Sequence, residues 1–358
     1  MKHMPRLKYK ILYLGRSNGT SLQRGNALKR LGHEAYLIDP HRYLPSKGFI
    51  GKIINKLIYE IGGYIFEPYV RARLFWKLKR KSFDLVWVDS GELLSARTIR
   101  SLHSHASKVI NYNHDDPFGE RDGKRFELYR KAVSEYDLLV VVRRPNVDEA
   151  IKAGAKHVVH VYRPADEVCH APIFISEQER TRWVNNVVFI GTWMPERGPF
   201  MARLLELGVP LKIYGDRWQK AGEWPILKQA WAGTNLVGAD YVKAIQCAKV
   251  SLGLLSKGNR DLHTTRSAEI PYIGSVLCAE RTSEHESMYR ENEEAVFWST
   301  PEECAEKCFW LLDNPEVRDR IAKAGRERCI KNGMLNEVVA KQILDAVMKQ
   351  DLGARYEG

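Results

Sequence analysis

Several features that define other protein classes are missing from this sequence. No apolar run approaches the roughly 18–20 residues of a membrane-spanning helix, and residues 11–15 are too few for the apolar part of a signal peptide. The chain has neither a GxGxxG nor a Walker A motif, and no cysteine or histidine spacing typical of zinc sites. These absences argue against an integral membrane protein, a nicotinamide-dependent enzyme and a zinc protein, and we expect a cytoplasmic location.

Cysteine is also sparse, with six residues in a chain of 358. Cys304 and Cys308 stand four positions apart on a predicted helix, where two buried thiols are a more common outcome than a metal site. We therefore predict that these cysteines pack in the core and hold no metal.

Positive charge exceeds negative charge, and the excess is unevenly distributed. The net charge is +12, and residues 46–81 supply +7 of it, from nine basic and two acidic residues. Apolar and aromatic residues alternate with the basic ones at helical spacing, which predicts a pair of amphipathic helices. One interpretation is a surface that binds an anionic membrane, and the other is an ordinary pair of core-packed helices with a solvated basic face. We expect no nucleic-acid partner, because no recognised binding motif is present.

Strand and helix signals alternate along most of the chain, whose length is enough for about two domains. Six apolar segments alternate with helices in the first half, a polar stretch over 165–184 indicates a linker, and the alternation then restarts. This pattern predicts an α/β protein with two Rossmann-like domains facing across a cleft, over residues 1–168 and 183–334. A last helix within 335–358 could pack back toward the first domain.

The most informative stretch is 259–280, which predicts a loop, a helix, a turn and a strand directly after another strand. Thr264, Thr265 and Arg266 would lie at the start of the helix, with Glu269 about one turn further along. A helix N-terminus favours phosphate, and a carboxylate can accept hydrogen bonds from both hydroxyls of a ribose. The stretch therefore predicts a binding site for a nucleoside diphosphate.

Other predicted strands are also followed by polar residues, and loops at the carboxyl ends of parallel strands line the ligand sites of such sheets. His114 and Asp115 follow the fourth strand, where a carboxylate beside a histidine could act as a general base or stabilise positive charge at a sugar carbon. The alternative is structural, with Asp116 capping the next turn and His114 making a fixed hydrogen bond. The loop after the first strand, Gly15 to Gly19, could let a ligand approach the main chain, but it is equally typical of a plain turn between a strand and a helix. The further candidates in these loops are Gly15, Ser17, Asn18, Gly19, Arg197 and Tyr214.

Three segments together resemble a known enzyme family. FIGTWMPERG (189–198), LKIYGDRW (211–218) and RDLHTTRSAEIPYIGSVLCAE (260–280) are similar to segments of the GT-B glycosyltransferases, most closely of their CgeB-like, "glycosyl transferases group 1" branch. The resemblance covers most of residues 185–333. It implies a nucleotide-sugar donor held mainly by the second domain and an acceptor held by the first. It also implies no metal and no other cofactor, since helix dipoles and basic side chains replace the ion in this family, and the sequence has no DxD motif.

The resemblance also assigns roles to residues. It places Glu269 at the donor ribose and Arg197 near the phosphates. The residues it places near the diphosphate are Thr264, Thr265, Arg266 and Ser267. Asp261 stands eight positions before Glu269, where retaining relatives carry another glutamate, and Thr192 and Trp193 stand where a basic residue is expected. Retention and inversion of the sugar configuration therefore both stay open.

We expect a glycosyltransferase that moves a sugar from a nucleoside-diphosphate donor, with uridine the favoured base, to a glycan, lipid-linked or small-molecule acceptor, as in polysaccharide biosynthesis. One alternative is an epimerase or hydrolase of the same fold that acts on a nucleotide sugar. Another is a non-catalytic, membrane-associated protein that binds nucleotides or carbohydrates. If residues 46–81 bind lipid, the protein would be peripheral at the inner face of the membrane.

Overall fold

The structure is a computed structural model that describes residues 8–45 and 47–348. It divides the chain into two units, with boundaries between Tyr162 and Arg163 and between Leu335 and Asn336. Unit 1 contains the residues before the first boundary and after the second, and unit 2 contains Arg163–Leu335. The predicted domain ends at 168 and 334 lie within six residues of these boundaries.

Unit 1 is built on a parallel sheet flanked by helices. Its strands are β1 (Lys10–Leu14), β2 (Glu34–Ile38), β3 (Phe83–Asp89), β4 (Ala106–Asn113), β5 (Leu138–Val141) and β6 (Val158–His160). The helices between them are α1 (Gly19–Arg30), α2 (Gly48–Ile61), α3 (Glu67–Leu78), α4 (Ala96–Leu102), α5 (Glu127–Ala132) and α6 (Pro145–Lys152). The strand order is β2-β1-β3-β4-β5-β6, and each neighbouring pair is parallel. This is the predicted Rossmann-like arrangement.

The sheet of unit 1 is buried on both faces. Ile11 and Tyr13 of β1 belong to one buried cluster, and the alternating residues Leu12 and Leu14 belong to another. Successive side chains of a strand point to opposite faces, so the two clusters mark the two faces of the sheet. Strands covered on both faces are largely apolar, as in Leu85 to Val88 of β3.

Two helices of unit 1 are shorter than the sequence predicts. The predicted helix over 92–105 is observed as α4, and the predicted helix over 121–134 is observed as α5 followed by a 3₁₀ turn. After β3 the chain turns sharply, with φ of 72° at Ser90 and 90° at Gly91, and Ser95 is still extended, with φ of −79° and ψ of 164°, so the helix begins only after it. Ser95 then caps α4, because its side chain accepts a hydrogen bond from the main-chain N–H of Thr98.

Unit 2 repeats the same architecture. Its strands are β7 (Asn185–Ile190), β8 (Leu211–Tyr214), β9 (Trp231–Gly233), β10 (Ala248–Gly253), β11 (Val276–Glu280) and β12 (Val296–Trp298). Its helices are α7 (Glu177–Trp183), α8 (Arg197–Glu206), α9 (Trp224–Leu227), α10 (Gly238–Gln246), α11 (Arg266–Ile273), α12 (Ser283–Met288), α13 (Pro301–Asp313) and α14 (Pro315–Lys331). The strand order is β12-β11-β10-β7-β8-β9, again parallel.

The segment predicted as a linker, 165–184, lies in unit 2 and contains α7. Ser176 and Glu179 form a reciprocal capping box at the start of this helix. Ile175 before it and Trp183 at its end are buried, while the polar residues between them face solvent. The polar run that indicated a linker is therefore the outer side of a packed helix.

The final helix, α15 (Asn336–Met348), belongs to unit 1. Val339, Ile343 and Val347 are buried in the cluster that contains Ile11 and Tyr13 of β1. The chain therefore returns to its first unit after completing the second. None of the described helices is long and apolar enough to span a bilayer.

Candidate functional site

Glu269 has the most developed surroundings among the predicted residues of unit 2. It lies in the first turn of α11, after the loop that leaves the carboxyl end of β10. Only 3% of its surface is exposed. The Tyr241 hydroxyl donates to Glu269 Oε2 at 2.6 Å, Arg266 Nη1 donates to the same oxygen, and His170 Nε2 lies 3.5 Å from Oε1. The carboxylate is thus held by three groups from separate parts of unit 2.

These neighbours keep Glu269 charged. Burial by itself raises the pKa of Glu269, but Arg266, His170 and the hydrogen bond from Tyr241 outweigh burial and lower the pKa below its usual value. The Arg266 guanidinium also lies over the Tyr241 ring, 4.8 Å from its centroid. Unit 2 therefore carries an ionised carboxylate with a cation beside it at the start of a helix.

The start of α11 is a closely bonded turn. Thr264 N donates to Ser267 Oγ at 3.1 Å, and Thr264 Oγ1 accepts from Arg266 N at 3.2 Å. Ser267 Oγ is also 2.8 Å from His285 Nε2, and Thr265 Oγ1 lies 3.3 Å from Arg266 Nη1. The predicted diphosphate residues are therefore gathered at one helix end, as the sequence indicated, although the Ser267 hydroxyl is buried in a hydrogen bond of the fold.

Arg197 is buried at the start of α8. Its Nη1 donates to the carbonyl of Thr192 at 2.7 Å, and its Nη2 lies 3.1 Å from the carbonyl oxygen of Leu255 and 3.3 Å from that of Leu254. The guanidinium thereby ties the loop after β7 to the loop after β10. Contact of Arg197 with phosphate stays a prediction, since these bonds direct the side chain toward the main chain.

Asp261 lies in a buried ion-pair network. Arg163 Nη2 donates to Asp261 Oδ1 at 3.1 Å, and Arg163 also bonds to His263 through its main-chain N–H and its Nη1. His263 Nδ1 in turn lies 2.5 Å from Glu284 Oε2. Asp261 therefore secures the first residue of unit 2 to the loop before α11.

Tyr214 is the last residue of β8 and is partly exposed at the carboxyl edge of the sheet. Its ring lies 6.4 Å from that of Trp183, and burial raises the pKa of its hydroxyl. The following residue, Gly215, approaches Gly191 so closely that a Cβ there would lie 2.0 Å from the Gly191 carbonyl oxygen. The loops after β7 and β8 are thus packed main chain to main chain.

In unit 1, the first predicted loop is also closely packed. Gly15 N donates to the carbonyl of Ile38 at 3.0 Å, and a Cβ on Gly15 would lie 2.5 Å from Ser21 Oγ. Ser17 donates to Asp39 Oδ2 through both its N–H and its hydroxyl, each at 2.9 Å. Glycine at position 15 is therefore explained by packing of the fold itself.

Asn18 and Gly19 form the entry to α1. Asn18 is exposed at the N-cap position, and its side chain makes no capping hydrogen bond. Gly19 is exposed with φ of +55°, and nothing lies within 4 Å of where its Cβ would be. These two residues leave the start of α1 accessible, as a ligand-binding loop requires.

A cavity of about 100 Å³ lies at the carboxyl end of the unit 1 sheet. Glu92 lines it together with Gly15, Arg16, His41 and Arg125. Glu92 is 3% exposed, its Oε1 lies 3.1 Å from Arg16 Nη2 and 2.7 Å from His41 Nε2, and its Oε2 accepts from Arg125. Burial raises the pKa of Glu92, but His41 and Arg125 lower it by more than burial raises it. The pKa therefore lies well below its usual value.

His114 and Asp115 lie on the same edge of the unit 1 sheet. His114 lines the cavity, its Nδ1 is 3.3 Å from Arg24 Nη2, and its Nε2 is 3.6 Å from Asp115 Oδ2. His114 thus lies between Arg24 and Asp115 on this edge of the sheet. Burial raises the pKa of Asp115, and His114 and Arg125 lower it to a net value below the usual one. Asp115 is therefore ionised and a weak base.

The structural alternative to these roles predicted a cap by Asp116. Gly119 N donates to Asp116 Oδ1 at 3.2 Å, and Asn146 Nδ2 donates to it at 2.8 Å. The predicted cap is confirmed for Asp116, while His114 remains beside the cavity.

Comparison with known proteins identifies the type of domain. The sequence profile of a family described as glycosyl transferase-like matches residues 197–345, which begin at Arg197 and include the 259–280 stretch. No curated protein sequence gave a match. The chain is a glycosyltransferase-type enzyme.

Solved structures show the fold of this glycosyltransferase. Sucrose-phosphate synthase from Thermosynechococcus elongatus superimposes with a TM-score of 0.69 at 10% identity, covering 96% of this chain and 99% of its own. A glycosyltransferase from Rickettsia africae gives 0.67 at 13% identity, covering 96% and 98%. HepE from Anabaena, in complex with UDP-glucose, gives 0.65 at 12% identity, covering 95% and 100%. The predicted GT-B fold is confirmed, and the narrower CgeB-like placement stays a prediction.

Several residues around the predicted glycosyltransferase site were missed by sequence reasoning. His170 and Tyr241 contact Glu269, and Arg163 contacts Asp261, from positions 28 to 99 residues away in the chain. Glu92 follows a predicted strand, but its sequence spacing to Arg16, His41 and Arg125 does not show that they meet it. Nothing in local spacing reveals such pairs, because they form only when distant segments meet in the fold.

The predicted buried thiols are confirmed, with an addition. Cys304 and Cys308 of α13 are buried, and the sulfur of Cys278 on β11 joins theirs, all within 4.8 Å of one another. The same core cluster contains Val250, Val296 and Leu311. The sequence could not place Cys278 there, since it lies 26 residues before Cys304 on another element.

Proposed function

We propose that this enzyme transfers a sugar from a UDP-sugar to a hydroxyl acceptor without a metal ion. The observation that supports this best is Glu269, an ionised and buried carboxylate in the first turn of α11 with Arg266 beside it. Such a carboxylate can accept hydrogen bonds from both ribose hydroxyls, and the helix start can face the diphosphate. The complex of Anabaena HepE with UDP-glucose supports uridine as the base.

Donor binding would exchange partners around Glu269. One ribose hydroxyl would take the lone pair of Oε2 that now accepts from Arg266, and the other would donate to Oε1, while Tyr241 keeps its hydrogen bond and orients the carboxylate. The Arg266 guanidinium, whose side chain is 26% exposed, would then turn toward the diphosphate, where its charge offsets the negative charge that develops on the leaving nucleotide. Thr264 and Thr265, at the same helix end, would add hydroxyl donors.

Unit 1 would bind the acceptor. The cavity beside Glu92 and His114 offers hydrogen-bonding groups for a sugar or headgroup hydroxyl. Asp115, held ionised by His114 and Arg125, is better suited to stabilise positive charge at the sugar carbon than to remove a proton. His114 would orient Asp115 and complete the acceptor site. We predict activity that survives treatment with EDTA, because basic side chains and a helix dipole replace the metal.

The deciding experiment measures UDP binding by calorimetry. Glu269→Ala should weaken UDP binding at least about 100-fold, since the carboxylate makes two charge-assisted hydrogen bonds worth roughly 1.5–3 kcal/mol each. Glu269→Gln keeps the volume and tests the charge alone. Glu294→Gln is the matched control, because Glu294 is a buried glutamate of unit 2 that pairs with Arg290 and Arg328 instead. Unchanged UDP affinity in both Glu269 variants would refute the donor site.

Turnover distinguishes transfer from its alternatives. The wild-type enzyme should release UDP from UDP-glucose slowly without an acceptor and faster with one. Stoichiometric free sugar or an epimer without acceptor would instead identify a hydrolase or an epimerase.

A further inference from the structure

Helices α2 and α3 of unit 1 expose an unusual number of large apolar side chains. Phe49 is 78% exposed, and Ile65 and Trp76 are each 64% exposed. Further exposed apolar residues on this pair and its connection are Ile50, Ile53 and Tyr69. Monomeric soluble proteins rarely leave so large an apolar patch open unless it binds something.

These residues are not the core-facing side of the helices. Ile58 of α2 and Val70, Leu74 and Leu78 of α3 are buried in the core cluster of unit 1. The inner faces are therefore already packed, and the exposed apolar residues are additional to the core-facing ones. This observation weighs against the interpretation of an ordinary core-packed pair with a purely polar outer side.

The same surface is strongly basic. Residues 47–81 carry nine lysines and arginines against Glu60 and Glu67. In this described segment those two glutamates pair with Lys56 and Arg71. Lys52, Lys77 and Lys79 are exposed beside the apolar residues. Most of the positive charge is thus left to interact with something outside the chain.

We propose that the outer faces of α2 and α3 form a docking surface for an anionic lipid membrane. Apolar and aromatic side chains enter the boundary between headgroups and acyl chains, while lysines and arginines on the same helices attract acidic headgroups. A protein partner would need its own acidic and apolar surface of matching shape, whereas a bilayer presents both layers without shape matching. The mixture of bulky apolar and basic residues on one helix pair therefore favours lipid.

The docking surface lies close to the candidate acceptor cavity within unit 1. Gly63, in the connection between α2 and α3, packs so tightly that a Cβ there would lie 2.9 Å from the carbonyl oxygen of Glu92 and 3.0 Å from a Leu93 methyl group. Both Glu92 and Leu93 line the cavity. A membrane bound at α2 and α3 would hold this loop at the lipid surface. On the proposed glycosyl transfer, on which this step rests, the acceptor is therefore a lipid-linked, amphiphilic molecule.

The test is co-sedimentation of the full chain with vesicles in the absence of nucleotide. We expect binding to vesicles that contain about one third phosphatidylglycerol, weaker binding as salt increases, and little binding to pure phosphatidylcholine. The variant Phe49→Ser/Ile65→Ser/Trp76→Ser removes the apolar contact. The variant Lys52→Glu/Lys77→Glu/Lys79→Glu reverses the charge and should lower partitioning at least about 100-fold, since each basic residue near the surface contributes about 1 kcal/mol.

A control variant is available on another helix of unit 1. Ile151→Ser/Lys152→Glu changes an apolar and a basic residue on α6 of unit 1, where Ile151 is 56% exposed, and should leave vesicle binding unchanged. No binding by the wild type at low salt would overturn the proposal. Vesicle binding by the two patch variants that equals that of the wild type would also overturn it. Self-association that these variants abolish, without vesicle binding, would assign the patch to a second copy of the chain instead.

The lipid proposal and the donor-site proposal can fail separately. UDP affinity is measured without vesicles, and the patch variants should bind UDP as the wild type does, which also shows that they are folded. Unchanged UDP affinity in the Glu269 variants, together with vesicle binding by the wild type, would refute the donor site and leave the membrane surface standing. For the acceptor, UDP release from UDP-glucose should increase with vesicles of extracted bacterial lipids and not with free glucose. The reverse would overturn the lipid-linked acceptor.

Discussion

Each unit of this enzyme buries a glutamate at the carboxyl edge of its sheet, and the two are held differently. Glu92 of unit 1 is fixed by Arg16, His41 and Arg125, which come from three separate segments. Glu269 of unit 2 takes its nearest cation from Arg266, three residues earlier on the same helix. The cations at Glu92 therefore join segments of unit 1, whereas the guanidinium nearest to Glu269 lies on its own helix and is 26% exposed. On the proposed donor site, Glu92 serves the fold and Glu269 serves a ligand.

The largest expected effect separates these two roles. Glu92→Ala removes a buried carboxylate from the mostly buried His41 and Arg125 and should reduce the free energy of unfolding by about 3–5 kcal/mol in urea titrations, as for other broken buried ion pairs. Glu269→Gln should cost much less stability but most of the UDP affinity. Glu135→Ala is the control, because Glu135 pairs with the largely exposed Arg100 and should change stability by less than about 1 kcal/mol. Equal losses of stability in the Glu92 and Glu269 variants would contradict the division of roles.

Two glycines, one in a loop of each unit, give the next largest expected difference in stability. Gly215→Ala should reduce stability by roughly 1–3 kcal/mol or more, because the new Cβ would lie 2.0 Å from the Gly191 carbonyl oxygen in unit 2. Gly19→Ala in unit 1 meets no neighbour and should cost only about 1 kcal/mol, for its φ of +55°. Thermal unfolding of both variants checks the order. A larger loss for Gly19→Ala would show that the loop of unit 2 is free to move.

The pH dependence of stability sharpens the comparison further. The folded-state pKa of Glu92 is lowered, so its stabilisation is complete above the unfolded value of about 4.3 and is lost as the pH falls below it. The free energy of unfolding of the wild type, measured with urea, should fall from about pH 4.3 downward. Glu92→Gln should show a flatter dependence on pH. Glu60→Gln, at an exposed site, should follow the wild-type profile. Identical profiles for wild type and Glu92→Gln would contradict the lowered pKa.

The smallest predicted effect concerns the orientation of Glu269. Tyr241→Phe removes one hydrogen bond to the carboxylate and should weaken UDP binding by about fivefold, the equivalent of roughly 1 kcal/mol. Tyr289→Phe, which removes a hydrogen bond to the carbonyl of Ser267, is the control and should retain UDP affinity. Tighter UDP binding in Tyr241→Phe would show that Tyr241 competes with the ribose.

The architecture could be predicted from the sequence because its strands are long apolar runs and its helices have local signals. Thr300, for example, stands before Pro301 and three residues before Glu303, a pattern typical of a helix start, and its side chain accepts from the main-chain N–H of Glu303 at the start of α13. The order of Thr264, Thr265, Arg266 and Glu269 around one helix start was likewise predictable, since it depends on helical spacing alone. These features are local, and local physics decides them.

The remaining features depend on contacts between distant segments. Arg197 looked like a phosphate ligand, but whether it meets main-chain carbonyls is decided by where the loop after β10 lies. The polar run in 165–184 resembled a linker, because its sequence does not show that Ile175 and Trp183 find a core. α4 was predicted too long because the sequence does not show that Ser95 is the extended residue before the helix. In each case tertiary structure overrides the local pattern.

The return of α15 to unit 1 has a consequence for synthesis of the protein. Unit 2 is one continuous segment and can fold as soon as Leu335 has left the ribosome. Unit 1 must wait for Ile343, Leu344 and Val347, which share a buried cluster with Ile11 and Tyr13 on one face of its sheet. Until α15 has been synthesised, that apolar face is open to chaperones and to other nascent chains. Loss of α15 should therefore harm unit 1, although most of unit 1 is synthesised before unit 2.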